Sequence, residues 1–410
     1  MLVDEPPSDG LFIQLLAALA AALHRYGAPA HLIEDAIRAV AAGRGVEAQV
    51  LSTPTSITLA TGGLQDQQLR LVRIEPGTVD LRRLTEVDIL TQRIARGEVT
   101  DAAALAQVQA IHDARPGGTF AVDVGAATMT SAMAALFFGG GWLECLTAGV
   151  IGASVGLAQG ITGRSVRLQR IVEPTCAMLA ALLAAGVCAH VGPLDGGTTI
   201  LSGLIALLPG FTLTVSMTEL ASRHLVSGSA RFASAAMTFL QLGFGAAVGL
   251  QLGRELGWNA AWSSVPPAGW AELLPALVLG ALSFAVLLRV RRRDLGAVLV
   301  VAVAGYIGSL AGVQFVGPQL GVFGGALVVG TAANIWSRWR QLPAAVVSVP
   351  GILMLVPGSV GFRGVSAFFD ADVLAAANAA STMFVLAASL VAGLLTANVV
   401  VAPRGVASGG

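Results

Sequence analysis

Leu207-Leu208-Pro209-Gly210-Phe211 has an echo in Leu355-Val356-Pro357-Gly358-Ser359, and each stretch sits in the middle of a long apolar run. Proline removes a backbone donor, clashes with the preceding turn and frees a carbonyl, while glycine lets the chain bend. Inside a bilayer such a break survives where protein or a water-lined cavity receives the freed groups. Two interrupted runs therefore point to two broken membrane helices. Pro209 and Pro357 are 148 positions apart (357 − 209), and that offset orders most of the chain.

The 410 residues are 55% hydrophobic and 12% charged, whereas soluble domains carry about a quarter charged residues. The 24 basic residues are all arginine and the formal net charge is zero, so no nucleic-acid partner is expected. Cys145, Cys176 and Cys188 form no CxxC and read as small apolar packing residues, with a Cys145–Cys188 bridge left open. The apolar run Leu11–Leu23 follows Asp4, Glu5 and Asp9 rather than the basic start of a signal peptide. It is also shorter than the ~20 residues a crossing needs.

Residues 1–118 read as a small cytoplasmic α+β domain in the order ααβββαα. Phe12, Leu15, Leu16, Leu19 and Leu23 recur at helical spacing up to Gly27, and Leu32, Ile33, Ala36, Ile37 and Val40 do so up to Gly43. Three β-like runs, 46–52, 56–61 and 68–74, are broken by Pro54 and by Gly62-Gly63. Asp80 and Thr100 are expected to cap helices over 81–96 and 101–113. Pro116-Gly117-Gly118 links this domain to the membrane part.

Ten later runs are long enough to cross a membrane: 119–138, 143–162, 174–190, 198–218 and 231–252, then 270–289, 294–312, 317–336, 343–362 and 374–400. Shifting the first five by 148 places them on the second five within a few residues. An odd number of spans per half inserts the halves in opposite directions, so the expected fold is a polytopic all-α membrane protein with an inverted 5+5 repeat. The halves are 119–262 and 263–402, followed by a tail at 403–410. Arginines cluster at 164–170, 223–231, 289–293 and 338–340, with Arg404 at the end, whereas only Arg254 and Arg363 fall in the alternate loops. By the positive-inside rule both termini face the cytoplasm. Small residues four apart, as in Gly152/Gly156/Gly160 and Gly245/Gly249/Gly253, suit close helix packing in lipid.

Candidate binding residues gather around the breaks. After Pro209 and Gly210, Thr212, Ser216 and Glu219 fall on one helical face, with Thr214 and Thr218 beside it. The plain alternative is hydroxyls bonded back to their own helix. Asp123, one turn inside the first span, and Glu219 are the candidate proton carriers; the alternatives are an end-of-helix charge reaching water for Asp123 and an interfacial charge near Arg223 for Glu219. Pro357, Gly358, Ser359 and Arg363 complete the set, with the Arg363 guanidinium suited to a carboxylate or to simple anchoring. His190 and His224 lack metal-ligand spacing, and no HExxH, GxSxG, Walker loop or strand-borne GxGxxG occurs, so neither metal, cofactor nor ATP-driven step is expected.

With those residues in place, the chain resembles the threonine/serine exporter family over nearly its whole length. The likeness rests on Gly27-Ala28, Glu34 and Thr53-Pro54-Thr55-Ser56-Ile57; on Phe138-Gly139-Gly140, Leu208-Pro209-Gly210, Glu219, Ser227-Gly228 and Arg231; and on Phe323-Gly324-Gly325, Asn334, Pro343, Pro350-Gly351 and Leu355-Val356-Pro357-Gly358. The resemblance implies export of small amino acids driven by the proton motive force, with both halves fused in one chain. The two Phe-Gly-Gly tripeptides are not equivalent under the shift and read as packing glycines. Partners are then the amino acid, protons and the bilayer, with a homo-oligomer left open. Three other readings stand beside it: a small dicarboxylate exporter, a passive channel, and a membrane-anchored enzyme using His24, His31, Glu34, Asp35 and His112.

Overall fold

The computed structural model describes residues 8–63, 65, 67–75, 77–114, 117–163, 165–258, 262–263, 269–355, 358–369 and 372–404; Pro116, Arg164 and Pro357 lie outside them. The N-terminal unit has the expected order. Helix α1 (Ser8–Arg25) is followed by Gly27 at φ +101°, a left-handed turn that favours glycine, and then by α2 (Ala30–Ala42). Strands β1 (Ala48–Thr53), β2 (Ser56–Thr61) and β3 (Gln68–Arg73) form an antiparallel sheet in that order, with Thr53 opposite Ser56 and Ser56 opposite Arg73. Val50, Ile57 and Leu59 alternate onto the buried face. Helices α3 (Leu81–Ala95) and α4 (Asp101–Asp113) complete the unit. Asp80 caps α3, accepting from the Arg83 N–H at 2.9 Å, whereas Thr100 stands at the N-cap of α4 without a side-chain bond.

The remainder is helical: α5 (Phe120–Phe137), α6 (Trp142–Thr162), a short α7 (Val166–Gln169), α8 (Val172–His190), α9 (Gly196–Gly203), α10 (Gly210–Ala221), α11 (Leu225–Glu255), α12 (Trp270–Leu287), α13 (Leu295–Val316), α14 (Pro318–Arg340), α15 (Ala345–Leu353), α16 (Gly358–Phe369) and α17 (Val373–Val400). Among the described residues, eight helical stretches are long and apolar enough to cross a membrane, counting α15 and α16 as one. The α9–α10 pair, bent by 52°, makes a ninth, and Ala271–Leu287 of α12 is a shorter apolar helix.

Several packing pairs recur at the 148-residue offset. Helix α8 lies on α11 as α14 lies on α17, and α10 lies on α11 as α16 lies on α17. The half-helices also cross over, α10 to α17 and α16 to α11. Other pairs do not recur: α5 packs closely along α6, but α12 touches α13 only slightly.

Glycines set these approaches because lipid supplies no water-exclusion force between helices. A Cβ on Gly245 or Gly249 would run into the Pro174 or Met178 carbonyl oxygen of α8. The two Phe-Gly-Gly tripeptides have different jobs. Gly139 takes φ +86° in the turn after α5, whereas Gly324 and Gly325 face the Gly308 and Gly305 carbonyls of α13. The three cysteines are buried, and none of them is in a disulfide. Gly245→Val is expected to lower the melting temperature of the detergent-solubilised protein sharply, overpacking costing about 1–3 kcal/mol. Gly296→Ala, whose added methyl meets nothing within 4 Å, is expected to leave it unchanged.

Candidate functional site

The first break follows α9. The chain makes a 3-10 turn over Ile205–Leu207, extends at Leu208 and turns at Pro209 before α10 begins at Gly210. The second break separates α15 from α16, which opens at Gly358. The two breaks meet: a Cβ on Gly358 would stand 3.8 Å from Leu208 Cβ and 3.9 Å from Gly210 Cα. Beside this junction lies a hollow with about 610 Å³ of empty space, open solvent included.

Its wall comes from both breaks (Ile205, Leu208, Gly210; Leu353, Met354, Gly358, Ser359), from α5 (Thr130, Met133, Ala134, Phe137, with Phe138 just after it) and from α12 (Ala276, Gly280, Phe284). No charged side chain is among these residues. The first N–H groups of α10 and α16 have no intrahelical acceptor and carry the positive end of each helix dipole. The carbonyls closing the 3-10 turn and α15 offer the opposite polarity beside them. An interrupted helix pair thus presents donors and acceptors side by side in an otherwise apolar hollow.

Of the residues read from the sequence, Gly210, Gly358 and Ser359 line the cavity. Pro209 is buried next to it as the N-cap of α10, and Pro357 lies outside the described residues. Thr212 and Ser216 are not in the wall. Ser216 is fully buried with its hydroxyl donating to the Leu213 carbonyl, and Thr214 and Thr218 donate to Gly210 and Thr214. Three hydroxyls of the polar strip after the first break therefore bond their own helix. Arg363 is exposed on α16, away from the cavity wall. The cavity residues of α5 and α12 lie on continuous helices, although Pro275 stands inside α12 immediately before Ala276.

Asp123 and Glu219 lie where the membrane helices meet the N-terminal unit. Glu219 has no exposed surface; its Oε1 accepts from the Ala30 N–H at 2.9 Å, at the first residue of α2. Its Oε2 accepts from the Ser227 hydroxyl at 2.7 Å and lies 3.2 Å from Arg231 Nε. The carboxylate thus satisfies an orphan donor at a positive helix end and is paired with an arginine. Asp123 lies 3.6 Å from Arg289, which also lies 3.7 Å from Asp80 of the N-terminal unit.

The same contact zone holds most of the residues considered for an enzyme. Glu34 accepts from the Ser52 N–H and faces His224 Nε2 at 3.3 Å, and His31 stacks obliquely on His224. Burial, then the charge of Arg231, holds the His24 pKa below its usual 6.5; burial and His224 do the same for His31. Asp35 pairs with Arg38, and His112 lies apart, against Arg25. Among the described residues no group of three metal-ligating side chains is assembled.

Helices long and apolar enough to cross a membrane, two of them interrupted and meeting beside a hollow, make this the fold of a multi-pass membrane protein. The chain belongs to the threonine/serine exporter family. A family described as "Putative threonine/serine exporter" matches residues 14–253, and one described as "Threonine/Serine exporter, ThrE" matches residues 274–400. A Mycobacterium tuberculosis protein named "Probable threonine/serine exporter" is 29% identical over 77% of this chain and 62% of its own length. Proteins named "Pheromone-regulated membrane protein 10" from Pichia sorbitophila and Eremothecium gossypii are 25% and 26% identical over 94% and 85% of the chain. The chain spans 41% and 48% of the length of those two yeast relatives. No solved structure matches it.

Glu219→Gln keeps an acceptor for Ala30 but leaves Arg231, itself 18% exposed, without its counter-charge. Breaking a buried pair costs about 3–5 kcal/mol. The variant is expected to melt at a lower temperature and to release arginines of the N-terminal unit to trypsin, read by limited proteolysis.

Proposed function

We propose that the protein is a secondary-active exporter of small amino acids, threonine and serine first among them, working by alternating access in the cytoplasmic membrane. The meeting of the two helix breaks at one hollow is the observation that carries this reading. An α-amino acid is a zwitterion. Its carboxylate suits the N-terminal N–H groups of α10 and α16, beginning at Gly210 and Gly358, with the Ser359 hydroxyl beside them. Its ammonium suits the carbonyls that end the 3-10 turn and α15. Thr212, Ser216 and Arg363, which lie off the wall, would help to hold the half-helices in place.

In this reading the ten helices form an inverted 5+5 repeat, α5–α11 against α12–α17, with the short α7 outside the count. The recurring pairs α8–α11 and α14–α17 support it. Residues 1–118 form a cytoplasmic domain, and the arginine-rich loops and both termini lie on that side. Glu219 and Asp123 carry the protons. Each is held by an arginine at the contact with the N-terminal unit, so taking up a proton weakens that contact as well. Proton entry at one face is thereby joined to movement of the half-helices, because Glu219 sits on α10 itself. A dicarboxylate exporter is less well supported, since no arginine reaches the cavity wall.

The purified full-length chain in proteoliposomes is expected to show counterflow of labelled threonine that an imposed pH gradient accelerates. Flux insensitive to the gradient would remove the proton coupling and leave a passive path; absence of flux would remove the exporter reading.

A further inference from the structure

We infer that Thr130 reads the side-chain hydroxyl of the substrate, an assignment that rests on the amino-acid exporter reading above. Thr130 is 1% exposed, forms part of the cavity wall, and its Oγ1 is buried with no hydrogen-bond partner. Hydroxyls on membrane helices have an easy alternative, which is to donate to a carbonyl one turn earlier. Thr128, Thr147, Ser154, Thr162 and Thr396 all do so here. The neighbouring Ser131 instead donates to the Gly203 carbonyl, just before the first break. Among the described residues of the membrane helices, only Thr130 and Ser202 bury a hydroxyl oxygen without a partner, and Ser202 is not in the cavity wall. An unsatisfied buried hydroxyl is destabilising unless something pairs with it, and Thr130 is part of the cavity wall.

The rest of the hollow decides which part of the ligand that is. Both charged groups of an amino acid find partners at the two breaks, where backbone donors and acceptors are concentrated. The wall around Thr130 is different: Met133, Ala134 and Phe137 continue along α5 with hydrocarbon and aromatic surface. A β-carbon bearing a methyl and a hydroxyl matches that wall, the methyl against the apolar side chains and the hydroxyl against Thr130. A threonine hydroxyl both donates and accepts, so it pairs with another hydroxyl in either sense. A substrate lacking the hydroxyl leaves Thr130 unpaired, and sites of this kind discriminate against such analogues. Thr130 is on this account a specificity-determining residue on α5, remote in sequence from both breaks.

The test uses full-length wild type, Thr130→Val and Thr130→Ser in proteoliposomes, each first shown monodisperse by size exclusion. Counterflow of labelled threonine is competed with unlabelled threonine or 2-aminobutyrate, which differ by the hydroxyl alone in exchange for hydrogen. Wild type is expected to favour threonine. Thr130→Val is expected to reduce that preference about fivefold to tenfold, the worth of one neutral hydrogen bond, while still moving 2-aminobutyrate. Thr130→Ser is expected to keep it. An unchanged preference in Thr130→Val, or an equal loss in Thr130→Ser, would overturn the assignment while leaving the exporter reading intact. If Thr130→Val proves aggregated, Thr130→Ala takes its place with the same expected loss. A wild-type protein that moves neither amino acid would overturn the exporter reading, and this assignment with it.

Discussion

A peptide group cannot be left without a partner in hydrocarbon, and that constraint shapes this molecule. Pro209 ends the helical ladder in the interior of one apolar stretch, and Gly358 begins a new helix in the interior of another. Each break frees backbone groups that neither lipid nor the parent helix can satisfy. Bringing the two breaks together confines those groups to one protein-enclosed place. The glycines at the junction allow it, since Gly210 and Gly358 approach to within ordinary side-chain contact of each other's helices. A hollow with polar main chain at its edge and hydrocarbon elsewhere is the geometric consequence of the breaks.

The N-terminal unit is tied to both halves of the membrane bundle. Glu219 of α10 accepts from α2, Leu288 at the end of α12 accepts from the Leu81 N–H of α3, and Arg404 beyond α17 donates to Asp88. One buried apolar cluster runs from Leu81 and Leu84 into Val290, Val346 and Ile352. The half-helix that flanks the cavity is therefore in direct hydrogen-bonded contact with a body outside the apolar bundle. Any movement of α10 relative to α2 must break the Glu219 bond or carry the N-terminal unit along.

Much of this was legible in the residues, and the parts that were not have physical reasons. Apolar periodicity and turn residues located all seven elements of the N-terminal unit to within a few residues, and most membrane helices likewise, but α11 begins six residues before the expected run and α16 ends seven after it. The Pro-Gly pairs located two of the segments that build the cavity wall. Thr130, Phe137 and Phe284 stayed hidden because their helices are unbroken, and which face of an all-apolar helix turns inward is not written in its periodicity. Ser216 and its neighbours carry two readings in the sequence, and the hydrogen bonds of Thr214, Ser216 and Thr218 to their own backbone match the plainer one. Glu219 was recognised as exceptional, yet its partner at Ala30 is 189 residues away, a contact that only the fold brings about.

The meeting of the two breaks is open to direct measurement. In a chain with Cys145, Cys176 and Cys188 replaced by alanine, Leu208→Cys combined with Gly358→Cys places two thiol-bearing carbons about 3.8 Å apart, the mean separation across a disulfide. Mild oxidation of the membrane-embedded protein is expected to form an intramolecular cross-link, seen as a reductant-sensitive mobility shift and as a linked peptide by mass spectrometry. A double variant that is folded and monodisperse yet never cross-links would show that the breaks do not meet, and the shared cavity would go with them.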